Sequence, residues 1–403
     1  MTMPSVRSLW GMAFALSLGA AISLGMARFS YGMLLPPMRE DLAWSYTLAG
    51  AMNTANAMGY LLGAMALPRM LRRWDAVQVF LAGALLTSVF MGLSGFFTQA
   101  EPLLFQRGLA GLSSAWVFVA GGLLAARLGN VHPPSAGWLL GLYYGGTGWG
   151  IILSAWTLPP VMALAQAQGV AHPWVWAWWW LSVVCALCCV AMWWPLKRCA
   201  VWQRSGWLHQ DPNPSTPTPS AFSWASLTYA LAGYGLFGVG YIGYMTFVVA
   251  LLREQGQSES ALMVFYALLG CAVVVSSRLW SGLLNRAKAG GAMATLNALL
   301  GLATIVPALT AHDAAVMASG LLFGAVFLSV VASSTALVRH NLPASQWATG
   351  ISAFTIVFAT GQIIGPVVVG WISDGPGGLA RGLVFSAGAL LLGAALAWRQ
   401  KPL

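Results

Sequence analysis

Acidic side chains are scarce in this sequence: Asp and Glu together number nine in 403 residues. None of the nine falls midway along any of the long apolar runs. Charged residues of both signs make up only 7% of the chain. That is too few to cover a soluble surface of this size, which excludes an ordinary soluble protein and leaves lipid as the main solvent. Histidine and cysteine are equally sparse, at five each. Cys185, Cys188 and Cys189 share one apolar run and Cys271 lies in another, with no histidine or carboxylate beside them. This pattern excludes a disulfide framework and favours packing over metal binding. No nucleotide-binding loop, metal cluster or nucleophile–base pair is legible, so the expectation is neither an enzyme nor a holder of a cofactor or metal.

What is abundant is apolar. Hydrophobic residues form 59% of the chain, with 46 glycines and 21 tryptophans. Runs long enough to cross a bilayer, about 20 residues each, recur at roughly 8–37, 44–67, 76–98, 102–126, 135–160, 173–195, 223–251, 260–284, 289–310, 312–338, 345–372 and 377–398. The first is expected to be retained, since it is too long for a signal peptide and lacks a small-residue cleavage site. An even number of spans puts both termini on one side. With that side cytoplasmic, thirteen of the 19 basic residues fall in cytoplasmic segments, and only Arg39, Arg253 and Arg381 fall outside. The net charge of +10 is therefore topological and calls for no nucleic-acid partner. Trp174, Trp176, Trp178, Trp179 and Trp180 open the sixth span, while Trp193 and Trp194 close it. They read as anchors at two interfaces.

The chain divides into a six-helix bundle over 1–195, a cytoplasmic linker over 196–222 and a second six-helix bundle over 223–403. The linker is basic at first, then rich in Pro, Ser and Thr. The two bundles carry traces of duplication. MRED at 38–41 corresponds to LREQ at 252–255, and Gly146 and Gly150 correspond to Gly361 and Gly365. Such a repeat brackets a central cavity in which solute binds near mid-membrane.

With these features the sequence resembles the major facilitator superfamily over nearly its full length. GMARFSYGMLLPPM at 25–38 is similar to the opening signature of the bacterial YbfB/YjiJ-type transporters. The cytoplasmic loop motif of the superfamily corresponds to GAMALPRMLRR at 63–73, which keeps Gly63, Arg72 and Arg73 but has Leu67 in place of the motif's aspartate. Its second copy, SGLLNRAK at 281–288, offers Asn285 there. RGLAG at 107–111 resembles the fourth-helix motif, with Ala110 replacing a glutamine. GQIIGPVVVGWISD at 361–374 resembles the family's gating helix, with Gly361, Gly365 and Pro366 as the close-approach and bending positions. The resemblance implies an all-α membrane protein of twelve transmembrane helices, working by alternating access.

Three arginines remain inside spans: Arg28, Arg107 and Arg278. A cation at mid-membrane costs about 2.5–3.5 kcal/mol on insertion scales. Each can snorkel or donate to backbone carbonyls, and each can meet an anion. The shortage of acids favours the anion, and RLWSG around Arg278 is similar to the eighth-helix arginine of monocarboxylate and oxalate carriers. Asn53, Asn56 and Tyr60 share a face of the second span, and Tyr241 and Gln362 lie within the seventh and eleventh. The candidate binding set is accordingly Arg28, Arg107, Arg278, Asn53, Asn56, Tyr241 and Gln362. The expected function is secondary transport of a small organic anion such as a carboxylate, with or without protons, by a monomer in a bacterial inner membrane. Export of neutral or amphiphilic compounds is the alternative, and a non-transporting sensor a further one.

Overall fold

The computed structural model describes residues 6–204, 224–343 and 346–403, and among these it is helical with no strand. The helices are α1 (Val6–Ala20), α2 (Tyr31–Asp41), α3 (Tyr46–Met70), α4 (Ala76–Ser94), α5 (Ala100–Val131), α6 (Ala136–Ala167) and α7 (Pro173–Arg204). After the linker come α8 (Thr228–Glu254), α9 (Glu259–Leu279), α10 (Ser281–Arg286), α11 (Gly291–Leu309), α12 (Asp313–Asn341), α13 (Trp347–Ser373) and α14 (Gly378–Trp398). Eleven helical segments among the described residues are long and apolar enough to cross a membrane, which makes this a multi-pass membrane protein. The twelfth expected span, α3, has 25 residues, about 37 Å of helix. It is long enough but more polar, because Asn53, Thr54 and Asn56 turn inward rather than to lipid.

Three segments depart from the expected spans. The first span is not one regular helix: Ala21–Phe29, between α1 and α2, is a π-helix. The eighth span breaks at Trp280 between α9 and α10. The sixth runs on through Pro195 to Arg204, so the start of the expected linker is helical. Leu196 and Cys199, three residues apart, are fully buried, and their packing offsets the backbone hydrogen bond that Pro195 cannot make. The rest of that linker, 205–222, lies outside the described residues.

The chain folds as two compact units, Met1–Leu34 with Ala55–Asn213 and Leu35–Thr54 with Pro214–Leu403. The boundary differs from the halves of the sequence, because 35–54 clusters with the C-terminal helices. In the N-terminal unit α4 packs on α5 and α7, and α1 packs on α6. A Cβ on Gly146 would collide with the Ser17 carbonyl, and one on Gly150 would crowd Ala21, so α6 and α1 meet backbone to backbone. In the C-terminal unit the corresponding glycines, Gly361 and Gly365, press α13 onto Gly235 and Val239 of α8 in the same way. Both partner residues are displaced by 218 positions from their counterparts (235 − 17 and 239 − 21), so each unit repeats the same crossing.

The segment 35–54 is held inside the C-terminal unit by polar contacts. The Asp374 carboxylate accepts hydrogen bonds from the Tyr46 and Thr47 amides, at 2.6 and 2.9 Å, and from the Thr47 hydroxyl at 2.6 Å. An acid from the end of α13 thus caps the start of α3. The Tyr46 hydroxyl donates to Glu254, and the Arg39 guanidinium lies 3.8 Å above the Tyr46 ring. The repeated dipeptides Arg39–Glu40 and Arg253–Glu254 line one cavity of about 90 Å³ beside that ring.

Partial burial works to raise the Asp374 pKa, but the Thr47 and Tyr46 hydrogen bonds and the nearby Arg39 charge outweigh it and lower it below 3.8. A depressed carboxyl pKa stabilises the fold fully above its unfolded value, and that stabilisation is lost as pH falls through the folded value. Asp374→Ala is expected to cost about 1 kcal/mol, as for a lost N-cap. It should also remove the part of the acid-side decline in melting temperature seen below about pH 4. Thermal melts of both proteins across that range check it.

Candidate functional site

The π-helical turn sets the geometry of the N-terminal unit. Its backbone bonds run from residue i to i+5, as in Ser30 N–H to Gly25 O at 3.2 Å. The wider turn shifts the register of the residues after it and leaves carbonyls at its end without helical donors. Ser30 donates its hydroxyl to the Met26 carbonyl, and Arg107 of α5 donates from Nη1 to the Ala27 carbonyl at 2.6 Å. Ser23 is tied to the Ser114 carbonyl at 2.7 Å. Only glycine fits at position 25, because Gly150 and the Thr147 carbonyl leave no room for a side chain there. The residue delivered by this turn is Arg28.

Arg28 and Arg107 are both buried, at 2% exposure each. The Ala27 carbonyl that binds Arg107 belongs to the neighbour of Arg28, and the two guanidinium charges are close enough to repel. Arg107 lies between the rings of Tyr31 and Trp178, at 5.0 and 5.5 Å from their centroids. Arg28 faces the Tyr60 ring at 5.6 Å. All are within range of a favourable cation–ring interaction. Asn56 donates to the Arg107 backbone carbonyl at 3.1 Å, while its own Oδ1 is buried and accepts no hydrogen bond. The indole N–H of Trp178 is likewise buried and makes none. Among the described residues of this unit, the acids are Asp75 and Glu101, both at helix starts. Its interior therefore carries an excess of positive charge.

The structure gathers three of the expected site residues, Arg28, Arg107 and Asn56, into this one cluster. Arg107 has a structural share in it, since it satisfies a carbonyl that the π-turn exposes. Asn53 is buried in the other unit and donates to the Thr246 hydroxyl at 2.8 Å. Gln362 donates to the Tyr241 hydroxyl there, and Tyr241 is stacked with Phe237 and Phe358 at 4.9 and 5.6 Å. Arg278 lies exposed at the last turn of α9, beside the break at Trp280, which fits an arginine reaching the interface. Gly63 of the loop motif is a close-contact glycine under Leu112 of α5, and its carbonyl accepts the Trp116 indole N–H at 3.2 Å. Arg72 and Arg73 are exposed in the turn after α3. The residues of α13 marked for gating sit in tight crossings: Gly361 and Gly365 against α8, and the Pro366 carbonyl against Gly50.

Two residues of the cluster, Tyr31 and Trp178, were not among the expected ones. Tyr31 carried a signal, being three residues after Arg28. Trp178 was grouped with the interfacial anchors, and the structure corrects this. Trp174 and Trp178 are buried at 0% and 1%, whereas Trp179, Trp180, Trp193 and Trp194 are exposed. Only one face of the tryptophan-rich turn looks outward.

The family described as "Uncharacterised MFS-type transporter YbfB" matches residues 20–398. Among curated proteins none matches in sequence. Among solved structures, the chain is similar to a bacterial homologue of the human lysosomal transporter Spinster, in its inward-facing unoccupied form. Their TM-score is 0.69 at 14% identity, covering 98% of this chain and 97% of that one. The nucleoside transporter NupG is similar as well, with a TM-score of 0.68 at 14% identity over 98% and 99% of the two chains. At such identity these two likenesses speak for the fold, and that fold is the one carried by major facilitator transporters. With the family match spanning almost every helix, the chain belongs to the YbfB-type family of major facilitator superfamily transporters.

Proposed function

We propose that this secondary transporter carries a small organic anion, and that Arg28 meets its carboxylate. The carrying observation is the buried Arg28–Arg107 pair, set in a unit whose described acids lie only at helix ends. Burying two cations side by side is costly, and a bound carboxylate offsets that cost while accepting two parallel hydrogen bonds from one guanidinium. Arg107 holds the π-turn that aims Arg28, and Trp178 and Asn56 add polar groups beside Arg107. Gly361, Gly365 and Pro366 act in this reading as the crossing on which α13 moves. The membrane is taken to be a bacterial inner membrane with both termini cytoplasmic, on the strength of the basic residues in the cytoplasmic segments.

A thermal-stability screen of the purified protein tests the anion reading. Small carboxylates are expected to raise the melting temperature, and neutral sugars and lipophilic cations are not. Stabilisation by cations without any response to anions would favour export of amphiphiles instead.

A further inference from the structure

The exposed residues of α7 form one stripe, and the arginine cluster makes no use of it. At about 100° per residue, Val183, Leu187, Val190, Trp193, Trp194, Lys197 and Arg198 fall within about 140° of one another. All seven are exposed. Cys185, Cys189, Met192, Leu196 and Cys199 fall within about 80° on the other side. All five are buried. The helix runs on through Pro195, so a single face carries first apolar residues, then two indoles, then two cations. Val183 lies about 15 Å of helix before Trp193, the hydrocarbon depth of one leaflet, and the cations come about one turn later.

The two cations rest on rings. Lys197 Nζ is 5.0 Å from the Trp193 ring centroid, and the Arg198 guanidinium is 5.9 Å from that of Trp194. Both pairs are spaced i to i+4, which puts each cation above the indole one turn before it. Helix α4 runs antiparallel beside α7: the Ser88 hydroxyl donates to the Ser182 carbonyl at 2.8 Å, and Gly95 packs on Trp179. The start of α4, with Asp75, is therefore at the cationic end of α7. Its carboxylate is engaged as the cap of α4, accepting the Gln78 amide at 2.8 Å. Glu101, the other acid described in this unit, starts α5 at the opposite end.

A lone Lys or Arg at a helix end reaches the interface beside any lipid. Two cations on neighbouring residues can share one phosphate, and here the same face supplies an apolar run for the chains of that molecule. We infer that this stripe of α7 is a binding site for an anionic phospholipid. Its phosphate meets Lys197 and Arg198, its glycerol lies at Trp193 and Trp194, and its chains run along Val190, Leu187 and Val183.

Native mass spectrometry of the purified full chain tests this, with dioleoylphosphatidylglycerol, dioleoylphosphatidylcholine and water-soluble glycerol phosphate as probes. Phosphatidylglycerol is expected to bind about 30-fold more tightly than phosphatidylcholine, a gap of about 2 kcal/mol. Glycerol phosphate, which has no chains, should not bind measurably. Lys197→Gln combined with Arg198→Gln should remove most of the preference for phosphatidylglycerol. Arg399→Gln combined with Lys401→Gln, an equal loss of charge at exposed positions elsewhere, should keep it. Arg28→Gln should keep it as well. Ligand-free melting temperatures should match the wild type in both double variants, because all four side chains are exposed. Equal binding of the two lipids, or an equal loss of preference in the Arg399/Lys401 variant, would overturn a lipid site on α7. So would glycerol phosphate binding as tightly as phosphatidylglycerol, or a preference that Arg28→Gln removes and the Lys197/Arg198 variant retains.

Discussion

Replacing Arg28 with glutamine is expected to lower carboxylate affinity by about 100-fold while leaving the protein folded. A hydrogen bond to a charged group contributes about 1.5–3 kcal/mol, and loss of a two-point contact removes at least that much. About 3 kcal/mol corresponds to a 150-fold change in affinity. Stability should hold or rise, because the substitution removes one of two buried like charges. Arg28→Lys keeps the charge and loses the planar fork, so its affinity should fall between the two. Isothermal titration gives the affinities, and ligand-free melting gives the stabilities. If Arg28 serves only to hold the helix, Arg28→Gln will instead lower the melting temperature and leave affinity near that of the wild type.

Gly146→Leu is expected to have the largest effect on folding. The α1–α6 crossing brings Gly146 against the Ser17 carbonyl and Gly150 against Ala21 and Gly25. Even a Cβ at Gly146 meets backbone, which cannot rotate away as a side chain can, so the helices must separate. Overpacking a core costs about 1–3 kcal/mol and occasionally more. A backbone-on-backbone crossing belongs at the upper end. The variant should give little folded protein, and the folded fraction should bind carboxylate weakly, because the same crossing seats the π-turn before Arg28. Gly388→Ala in α14 is the control, since a Cβ there meets nothing within 4 Å. It should be neutral or stabilising by about 0.5–1 kcal/mol. Yield and melting temperature of the two variants side by side check the contrast.

The transmembrane helices were legible because lipid demands long apolar runs, and because Arg and Lys mark the ends of those runs. The Gly146/Gly361 repeat was legible too, since close backbone crossings admit little else, and the structure places both at equivalent contacts. Arg28 and Arg107 stood out as charges in apolar runs, and they do lie together. Other features left no trace in the sequence. A π-turn such as Ala21–Phe29 differs from an α-helix by one residue in its hydrogen-bond register, and no side-chain period announces it. The Ala27 carbonyl that engages Arg107 is a backbone group, so its need for a donor emerges only from that register. Trp178 and Trp179 are identical letters about 100° apart on one turn, and tertiary packing alone decides which is buried. The clustering of 35–54 with the C-terminal helices rests on contacts far apart in sequence, among them those of Asp374, Glu254 and Thr246. Arg278 reads as an in-span charge only on an unbroken span, whereas α9 ends beside it.

Counterflow in proteoliposomes tests the central claim most directly. Vesicles containing the purified full chain are loaded with the unlabelled carboxylate that stabilises it most, and the labelled form is added outside. With the wild type, label is expected to accumulate transiently above its equilibrium level, and Arg28→Gln should abolish this overshoot. An overshoot of the same size with Arg28→Gln, or one supported by a neutral analogue as well as by the carboxylate, would contradict a role for Arg28 in meeting a transported anion.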